Sequence, residues 1–398
     1  MVEDIIIDVV GSFSDGKTTL VRALTSESTL RHSEERKRGI TIRLGYAHFM
    51  LYKCVKCASF SRNSKCEVCG GEAIEQRRVS IIDSPGHKTL MTIMLSGAAL
   101  ASGAILVIAA NQKCPQPQTL EHLETLKIMG VKNLVVAQTK VDVIGKERAK
   151  ENKAEIEAFM KSNGFEGIKI IPVFSIHDVN IVELLQEVGR FSAPKASSKE
   201  ELSFLVVRSF DVNKPGTPIK ELGGGVLGGA LKNGGLKVGD KITIYPGVFL
   251  RNVWEPLKTK VVQIQSEFGS EKEIHGGLTV GVKTSLDPSI TRRDGLAGSL
   301  ATFADKPPIL KSKINIMYSS LTEREKTMFK KPLQKNEIVL INVLASKVLG
   351  TVFSVSGDKV AIIMNNNAQI PCYNGDKAVI SRKLDNVWVL SGSGLIYD

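Results

Sequence analysis

The first half of the chain alternates short apolar runs with stretches whose apolar residues recur at helical spacing, such as Leu90–Ala98 and Leu120–Met129. Continuous apolar strands separated by helices are typical of a parallel sheet covered on both faces, with ligands at the carboxyl ends of its strands. We therefore predict a doubly wound, mostly parallel α/β domain over residues 1–193. The predicted buried strands include Ile5–Val10, Val79–Ile82, Ala104–Ala110, Asn133–Ala137 and Ile168–Val173.

The pattern changes at the segment Phe191–Glu200, which has no periodicity and is rich in serine and charge. We interpret this segment as a linker. From Leu202 onward, short β-rich runs are separated by Gly, Pro and Asp turns, without amphipathic segments of helix length. Strands at this spacing favour closed barrels, and a second break occurs at Asp305–Pro308. The sequence thus predicts two consecutive β-barrel domains, residues 201–305 and 306–398.

A glycine-rich loop, Gly11–Thr18, joins the first apolar strand to a segment with a helical apolar face. Glycines let backbone N–H groups curve around an anion, the Lys17 ammonium can reach the β- and γ-phosphates, and the Thr18 hydroxyl can ligate Mg²⁺. A chance glycine-rich turn is the alternative for the bare pattern, but the strand–loop–helix order favours a nucleoside triphosphate site. The predicted nucleotide-binding residues here are Gly11, Asp15, Gly16, Lys17, Thr18 and Thr19.

A second phosphate-linked motif, Asp83-Ser84-Pro85-Gly86, follows a later strand. Asp83 can hold Mg²⁺ through water, and Gly86 can direct a backbone N–H towards the γ-phosphate. Loss of that phosphate would release the segment. The pair of motifs therefore predicts a switch as well as a binding site.

The base is predicted from the motif Thr139-Lys140-Val141-Asp142, which follows the strand Asn133–Ala137. A carboxylate at Asp142 can accept hydrogen bonds from N1 and N2 of guanine, and adenine offers neither donor in that arrangement. Ser175 and Ile176, after the next strand, are predicted to contribute backbone contacts to the guanine oxygen. We therefore predict GTP and GDP as the nucleotides.

Four of the six cysteines form two C-x2-C pairs close together in the chain. Such pairs can bring four thiolates into a tetrahedron around a structural Zn²⁺, and a site filled by four protein ligands leaves no position for a catalytic water. Unmetallated thiols are the alternative. Cys114 and Cys372 stand alone and have the character of buried thiols. The predicted zinc ligands, in a knuckle over residues 54–69, are Cys54, Cys57, Cys66 and Cys69.

Charge and hydropathy narrow the class of protein. Fifty-three Lys and Arg against 41 Asp and Glu give a net charge of +12, which favours a polyanionic partner such as nucleic acid, although a solvated basic surface is the alternative. No apolar run approaches the ~20 residues that cross a bilayer, and the acidic start lacks the basic region of a signal peptide. We expect a cytoplasmic protein without a membrane partner.

The order of these motifs resembles that of translational GTPases, and more narrowly the gamma-subunit family of archaeal and eukaryotic translation initiation factor 2. The resemblance covers nearly the whole chain and is weakest in the final barrel, where it depends mainly on Ile380–Lys383 and the segment Trp388–Gly394. The segments that carry it most strongly are Lys37–Ala47 with Arg38-Gly39-Ile40-Thr41, the four-cysteine insert, Asp83–His87, Met94–Leu100, Cys114–Thr119, Val206–Gly216 and Leu286–Pro288.

The resemblance implies a GTP-dependent carrier of methionylated initiator tRNA that works on the small ribosomal subunit and its mRNA complex, with slow, regulatory GTP hydrolysis as the release step. It also implies a heterotrimer in which an alpha subunit docks on the second domain and a beta subunit on the GTPase domain. By motif, Thr41 would ligate Mg²⁺, Tyr46 would lie at the cleft for the aminoacylated tRNA end, and His87 would position the attacking water.

The chain departs from the family pattern at two places in the predicted nucleotide site. Ser12, Phe13, Ser14 and Asp15 replace the usual residues of the phosphate loop, and Thr139 replaces an asparagine that ties the base loop to it. We expect weaker nucleotide affinity with guanine specificity retained. Phe13, together with Ile40, is expected to restrict the approach of His87.

Other functions share parts of this pattern. An elongation-type or specialised aminoacyl-tRNA carrier has the same three-domain plan, although elongation factors generally lack the four-cysteine insert. A GTPase regulatory subunit of a metabolic enzyme such as a sulfate adenylyltransferase would bind a protein and not tRNA. A nucleotide-binding scaffold would bind GTP without stimulated turnover. For His87 itself, the alternative is a residue that only caps the following helix.

Overall fold

The computed structural model describes residues 4–29, 35, 41, 43–193, 202–321, 329 and 331–398. The chain divides into two compact units, Met1–Pro194 and Lys195–Asp398. Within the described ranges, none of the helices has the length and apolar character needed to cross a membrane.

The first unit is built on a sheet whose described strands run in the order β3-β2-β4-β1-β5-β6-β7. Strand β1 pairs in parallel with β4 and β5, and the parallel pairing continues through β6 to β7. Among the described strands only β2 runs antiparallel to its neighbours, β3 and β4, which confirms the predicted, mostly parallel α/β domain. The strands are β1 (Ile5–Gly11), β2 (Gly45–Cys54), β3 (Phe60–Ser61), β4 (Ala73–Asp83), β5 (Gly103–Ala109), β6 (Asn133–Thr139) and β7 (Ile170–Pro172).

The helices cover both faces of this sheet because its central strands are buried on both sides. Successive residues of a strand point to opposite faces. Ile7 and Val9 of β1 accordingly lie in one hydrophobic core, and Val10 lies in the other. Each fully buried aliphatic side chain stabilises the fold by about 1.5–3 kcal/mol. The described helices of this unit are α1 (Lys17–Thr25), α2 (Met91–Ala98), α3 (Pro117–Met129), α4 (Lys146–Ser162) and α5 (Ile181–Arg190).

The predicted linker, Phe191–Glu200, includes two residues that belong to the first unit, Phe191 and Ser192. Phe191 is 7% exposed and belongs to a core of the first unit. Its carbonyl accepts a hydrogen bond of 2.7 Å from the Arg77 guanidinium, and the Ser192 backbone N–H donates to Asn133 at 3.2 Å. The interpretation failed because an isolated phenylalanine carries no periodic signal.

The second unit contains two closed barrels in the described part of the chain. Its strands are β8 (Ser203–Phe210), β9 (Val226–Asn233), β10 (Gly235–Lys237), β11 (Lys241–Leu250), β12 (Val253–Ser266), β13 (Gly269–Glu271), β14 (Glu273–His275), β15 (Thr279–Thr284), β16 (Leu300–Thr302), β17 (Ile309–Lys311), β18 (Lys313–Ser320), β19 (Ile338–Val343), β20 (Ser346–Ser356), β21 (Lys359–Met364), β22 (Ile370–Cys372), β23 (Lys377–Leu384) and β24 (Val387–Tyr397). The first has the strand order β11-β16-β8-β9-β15-β12 and closes by pairing β11 with β12. The second has the order β18-β21-β20-β19-β23-β24. Closure removes the unpaired sheet edges that invite association, and the predicted pair of barrels is confirmed. A short helix, α6 (Pro288–Thr291), lies within the first barrel's sequence.

The barrels contain more strands than the sequence pattern indicated. The stretch Ile309–Met317, which suggests one strand, is divided between β17 and β18.

Candidate nucleotide-binding site

The glycine-rich loop leaves β1 and enters α1 with its lysine folded over the loop backbone. Gly16 caps the helix in the left-handed region, with φ of 91°. The Lys17 ammonium donates to the carbonyls of Gly11 at 2.9 Å and Ser12 at 2.7 Å. Burial lowers the pKa of Lys17, and the nearby carboxyls of Asp15 and Asp83 oppose that shift. The loop thus presents one ammonium and a curved backbone, which is the equipment for binding phosphates.

Gly86 packs directly against this loop. A Cβ at position 86 would lie 2.3 Å from Lys17 Nζ and 2.7 Å from the Gly11 carbonyl oxygen, so only glycine fits. The Asp83–Gly86 motif therefore meets the phosphate loop at its lysine. This contact is consistent with a backbone donor at position 86 that faces the terminal phosphate, which remains a prediction.

Three hydroxyl groups converge on Asp83 where β4 ends. Thr18 and Thr29 donate to Asp83 Oδ2 at 2.8 and 2.6 Å. The Thr41 hydroxyl is 3.0 Å from that of Thr18 and 3.4 Å from Asp83 Oδ2. The fold thus brings together the predicted Mg²⁺ residues Thr18, Thr41 and Asp83, and adds Thr29. The other residues of the Arg38–Thr41 motif lie outside the described residues.

The chemistry of this cluster fits Mg²⁺. Asp83 is fully buried, and its Oδ1 has no hydrogen-bond partner among the described residues. Burial raises the pKa of Asp83, while hydrogen bonds from Thr29 and Thr18 lower it. An oxygen-rich set of this kind with an unpartnered carboxylate oxygen suits a hard divalent cation.

The base loop is tied to the phosphate loop by Thr139. Its hydroxyl donates to the Asp15 carbonyl at 2.5 Å. Threonine in place of asparagine thus keeps one direct hydrogen bond between the two loops. The loss of one or two further bonds that an asparagine would make, and the weaker nucleotide affinity expected from it, stay predictions. Lys140 follows in the left-handed region, with φ of 56°, and Asp142 lies exposed in the turn Val141–Val143.

The second predicted base element lies at the same edge of the sheet. Strands β6 and β7 are parallel neighbours, so the loops at their carboxyl ends are adjacent. Ser175 is half-buried and Ile176 is 73% exposed in the turn Ser175–His177. Both motifs thus present groups to solvent beside the phosphate loop, as a base-binding pocket requires.

His87 caps the turn that follows it. Its Nδ1 accepts a hydrogen bond from the Thr89 backbone N–H at 3.4 Å and lies 2.8 Å from the Thr89 hydroxyl. The ring also makes an edge contact with Phe13, with 6.1 Å between centroids. The geometry is that of the capping alternative, and the restriction of His87 by Phe13 stays a prediction. Ile40 lies outside the described residues.

Two residues of helix α3, His122 and Gln118, accept hydrogen bonds from the phosphate loop, and neither was predicted as a site residue. His122 is 1% exposed and its Nδ1 accepts from the Gly11 backbone N–H at 3.1 Å. Burial lowers the pKa of His122 to about 3, so the ring stays a neutral acceptor. Gln118 accepts from the Ser12 hydroxyl at 3.3 Å. Their spacing of four residues on one helix face was the available signal.

Asp15 uses its carboxylate within the loop. Its Oδ2 accepts from the Ser12 backbone N–H at 2.7 Å. Burial raises the pKa of Asp15 to about 6, with Lys17 opposing the shift. The carboxylate of Asp15 thus stabilises the loop itself, and a role of Asp15 in nucleotide binding stays a prediction.

Asp8 is a buried carboxylate in the middle of β1 that the sequence analysis passed over. Burial raises the pKa of Asp8 to about 8, and the Asp83 carboxylate adds to this shift, whereas Ser84 and Lys17 oppose it. Asp8 is therefore mainly protonated at neutral pH.

We expect the substitution Asp8→Asn to stabilise the protein at alkaline pH. The pKa of Asp8 is about 8 in the folded protein and 3.8 in the unfolded chain. Between these two pH values the unfolded chain releases the proton that the folded protein keeps, so the free energy of unfolding falls as pH rises from about 4 to about 8. Urea unfolding at pH 8 should show the variant more stable by about 2 kcal/mol, with a smaller gap at pH 5. The exposed substitution Asp358→Asn is the control, and an identical pH profile for wild type and Asp8→Asn would contradict the assignment.

The four predicted zinc ligands form one cluster. Their sulfur atoms all lie within 4.8 Å of one another. Cys54 and Cys69 are 3.5 Å apart, and Cys57 and Cys66 are 3.6 Å apart, close to the separation of about 3.8 Å that tetrahedral Zn–S bonds require. The Cys57 backbone N–H lies 3.4 Å from Cys54 Sγ. This donor set is compatible with a structural zinc ion.

The remaining predicted site residues lie apart from these clusters. Thr19 is exposed on α1, where no described contact links it to the loop. Tyr46 is half-buried on β2 and faces Ile82 across the strand pair. Its place in a tRNA cleft remains a prediction.

Two protein-family models match the chain. The model of the elongation factor Tu GTP binding domain matches residues 3–194, and the model of initiation factor eIF2 gamma, C terminal, matches residues 310–396. Among solved structures, a bacterial selenocysteine-specific elongation factor EF-Sec has a TM-score of 0.76 at 23% identity and covers 99% of the chain, which spans 58% of that protein. Elongation factor SelB from Methanococcus maripaludis, in complex with the GTP analogue GppNHp, has a TM-score of 0.75 at 21% identity, with coverages of 100% and 79%. At these identities the structural likeness bears on the fold alone.

Curated relatives are closer in sequence. Translation initiation factor 2 subunit gamma of Pyrococcus furiosus is 42% identical over 402 residues, with 98% of this chain and 96% of that protein covered. The protein of the same name from Methanocaldococcus jannaschii gives the same identity and coverages. The chain therefore belongs to the translation initiation factor 2 subunit gamma family and is a translational GTPase.

Proposed function

We propose that this GTPase binds methionylated initiator tRNA in its GTP form and delivers it to the small ribosomal subunit and its mRNA complex in the cytoplasm. Hydrolysis of GTP is the release step. The observation that carries the proposal is the family relationship at 42% identity over 98% of the chain. The net charge of +12 agrees with a nucleic-acid partner.

In this function the nucleotide site divides into phosphate, metal and base regions. The phosphate region consists of the loop Gly11–Thr18 with Gly86 above it, and Mg²⁺ is held by Thr18, Thr41 and Asp83. The metal would neutralise charge on the terminal phosphates. The base region specifies guanine through Asp142, with Thr139, Lys140, Ser175 and Ile176 as its other members.

The proposed assembly is a heterotrimer. An alpha subunit docks on the second domain, residues 201–305, and a beta subunit on the GTPase domain, residues 1–193. The third domain, residues 306–398, completes the carrier. Tyr46 lies at the cleft for the tRNA end, where aromatic stacking suits an unpaired adenosine.

For hydrolysis we propose that His87 leaves its cap on Thr89 and orients the attacking water. The substitution His87→Ala should then slow GTP hydrolysis on the ribosome by on the order of a hundredfold, the usual size of a positioned acid–base group, with GTP affinity unchanged. Thr89→Ala is the matched control, since it removes the hydroxyl beside Nδ1 and leaves the imidazole in place. Single-turnover phosphate release measures both. Wild-type hydrolysis in His87→Ala would assign His87 to capping alone.

The tRNA specificity tests the function itself. Binding of methionylated initiator tRNA, an elongator methionyl-tRNA and uncharged initiator tRNA should be compared at one fixed salt concentration, with the protein in its GTP-analogue form. We expect the first to bind at least tenfold more tightly than the other two. Equal binding of all three would leave only charge-driven association and refute initiator delivery.

A further inference from the structure

Arg62 of the zinc knuckle contacts both elements that border the nucleotide site. Its Nη1 donates to the Ala23 carbonyl at 2.5 Å, in the last turn of α1. The same nitrogen lies 3.3 Å from Asp178 Oδ1. Its Nε forms an ion pair of 3.1 Å with Glu67, which lies between the second pair of cysteines. One guanidinium thus joins the knuckle, the helix that carries the phosphate loop and the turn beside the base.

The Asp178 contact matters because of where Asp178 lies. It directly follows the turn Ser175–His177, and the segment is closed by two backbone hydrogen bonds of 3.2 Å between Phe174 and Val179. Asn180 adds a side-chain bond of 2.7 Å to the Pro172 carbonyl. Asp178 itself is in the left-handed region, with φ of 56°. Arg62 therefore contacts this tight turn at Asp178, a residue whose backbone conformation is uncommon for residues with a side chain.

The knuckle is itself fixed to the helix that follows this turn. Phe60 and Gln186 of α5 exchange two hydrogen bonds, of 2.8 and 2.9 Å. The Phe60 ring lies so close to α5 that a Cβ at Gly189 would be 2.3 Å from it. Arg62 is consequently part of a knuckle that is hydrogen-bonded to α5 and folded around four cysteines.

We propose that Arg62 is a positioning residue for the guanine nucleotide, and that metal binding by the knuckle therefore strengthens nucleotide binding. The cysteine cluster sets the path of residues 54–69, this path places Arg62, and Arg62 holds the base turn against α1. Because the Asp178 side chain is 56% exposed, the contribution is modest. The inference rests on the proposed placement of guanine between Asp142 and Ser175.

The test measures nucleotide affinity in the full chain by titration with fluorescent GDP and a fluorescent GTP analogue. Arg62→Ala should weaken both about fivefold, the size expected for loss of a half-exposed charged contact, and by the same factor because the two nucleotides share the base. Arg62→Lys should recover part of the loss. Arg190→Ala, which removes an exposed arginine paired only with Glu187 among the described contacts, should bind like wild type.

Zinc content and unfolding temperature keep the outcomes distinct. If the Arg62→Ala variant holds one zinc ion per chain and unfolds at the wild-type temperature, but binds both nucleotides with wild-type affinity, the proposal is overturned. Should that variant lose zinc or stability, Asp178→Asn tests the same contact without touching the knuckle, and wild-type affinity there also overturns it. Chelation of zinc from the wild-type protein should weaken GDP binding at least fivefold, reversibly on addition of Zn²⁺, and no change contradicts the proposal. If the wild-type protein binds ADP as tightly as GDP, the proposed placement of guanine is refuted, independently of the result for Arg62.

Discussion

The substitution Asp142→Asn is expected to lower the affinity for GTP and GDP by on the order of a thousandfold. The carboxylate of Asp142 lies exposed beyond β6, on a backbone fixed by Lys140 in the left-handed region. In the proposed bound state it accepts from two guanine N–H groups. An asparagine can accept only one of them, and its amide N–H would face the other donor. Isothermal calorimetry with GDP measures the change.

A gain of function accompanies this loss. Xanthine carries a carbonyl where guanine carries the N2 amino group, so the new amide has an acceptor to meet. Asp142→Asn should therefore bind xanthosine diphosphate more tightly than GDP, while the exposed control Asp358→Asn keeps the wild-type order. Tight GDP binding by Asp142→Asn would remove Asp142 from the base site.

The second large effect is expected for Lys17→Met, which should reduce GTP affinity by on the order of a thousandfold because the only ammonium folded into the described phosphate loop is lost. The unfolding free energy should not fall, since burial already lowers the pKa of Lys17 and penalises its charge. Methionine has a similar volume and no desolvation cost. Nucleotide titration and urea unfolding measure the two parts separately.

The exposed lysine at position 258 offers a matched control, as Lys258→Met removes a charge from β12 in the other unit. Two results would contradict the account of Lys17. One is GTP binding within tenfold of wild type, which would mean that backbone donors alone hold the phosphates. The other is a large loss of stability, which would make the ammonium a structural group.

The sequence was sufficient for the architecture because its signals are local. Helical spacing, buried apolar runs and Gly, Pro and Asp turns predict a mostly parallel α/β domain and two barrels, and both are confirmed. The phosphate, metal and base motifs also follow strands in the predicted order. The fold then places Thr18, Thr41 and Asp83 within hydrogen-bonding distance of one another.

Contacts between distant segments could not be predicted in this way. His122 supports the loop at Gly11 from a helix more than a hundred residues later, and Asp8 sits inside an otherwise apolar strand. Thr139 donates a hydrogen bond to the Asp15 carbonyl, which joins two loops more than a hundred residues apart. Phe191 joins the core although its sequence surroundings indicate a linker. In each case the role of the residue depends on contacts with residues that are distant in the sequence, and local sequence patterns do not reveal such contacts.

The most direct test of the central claim is the effect of the nucleotide on tRNA binding. The dissociation constant of methionylated initiator tRNA should be measured for the wild-type protein with a GTP analogue and with GDP, at one salt concentration. A switch that couples the two sites by 1–3 kcal/mol changes affinity by about 5- to 150-fold, and we predict tighter binding in the GTP-analogue form by at least tenfold. Equal dissociation constants in the two forms would contradict the account.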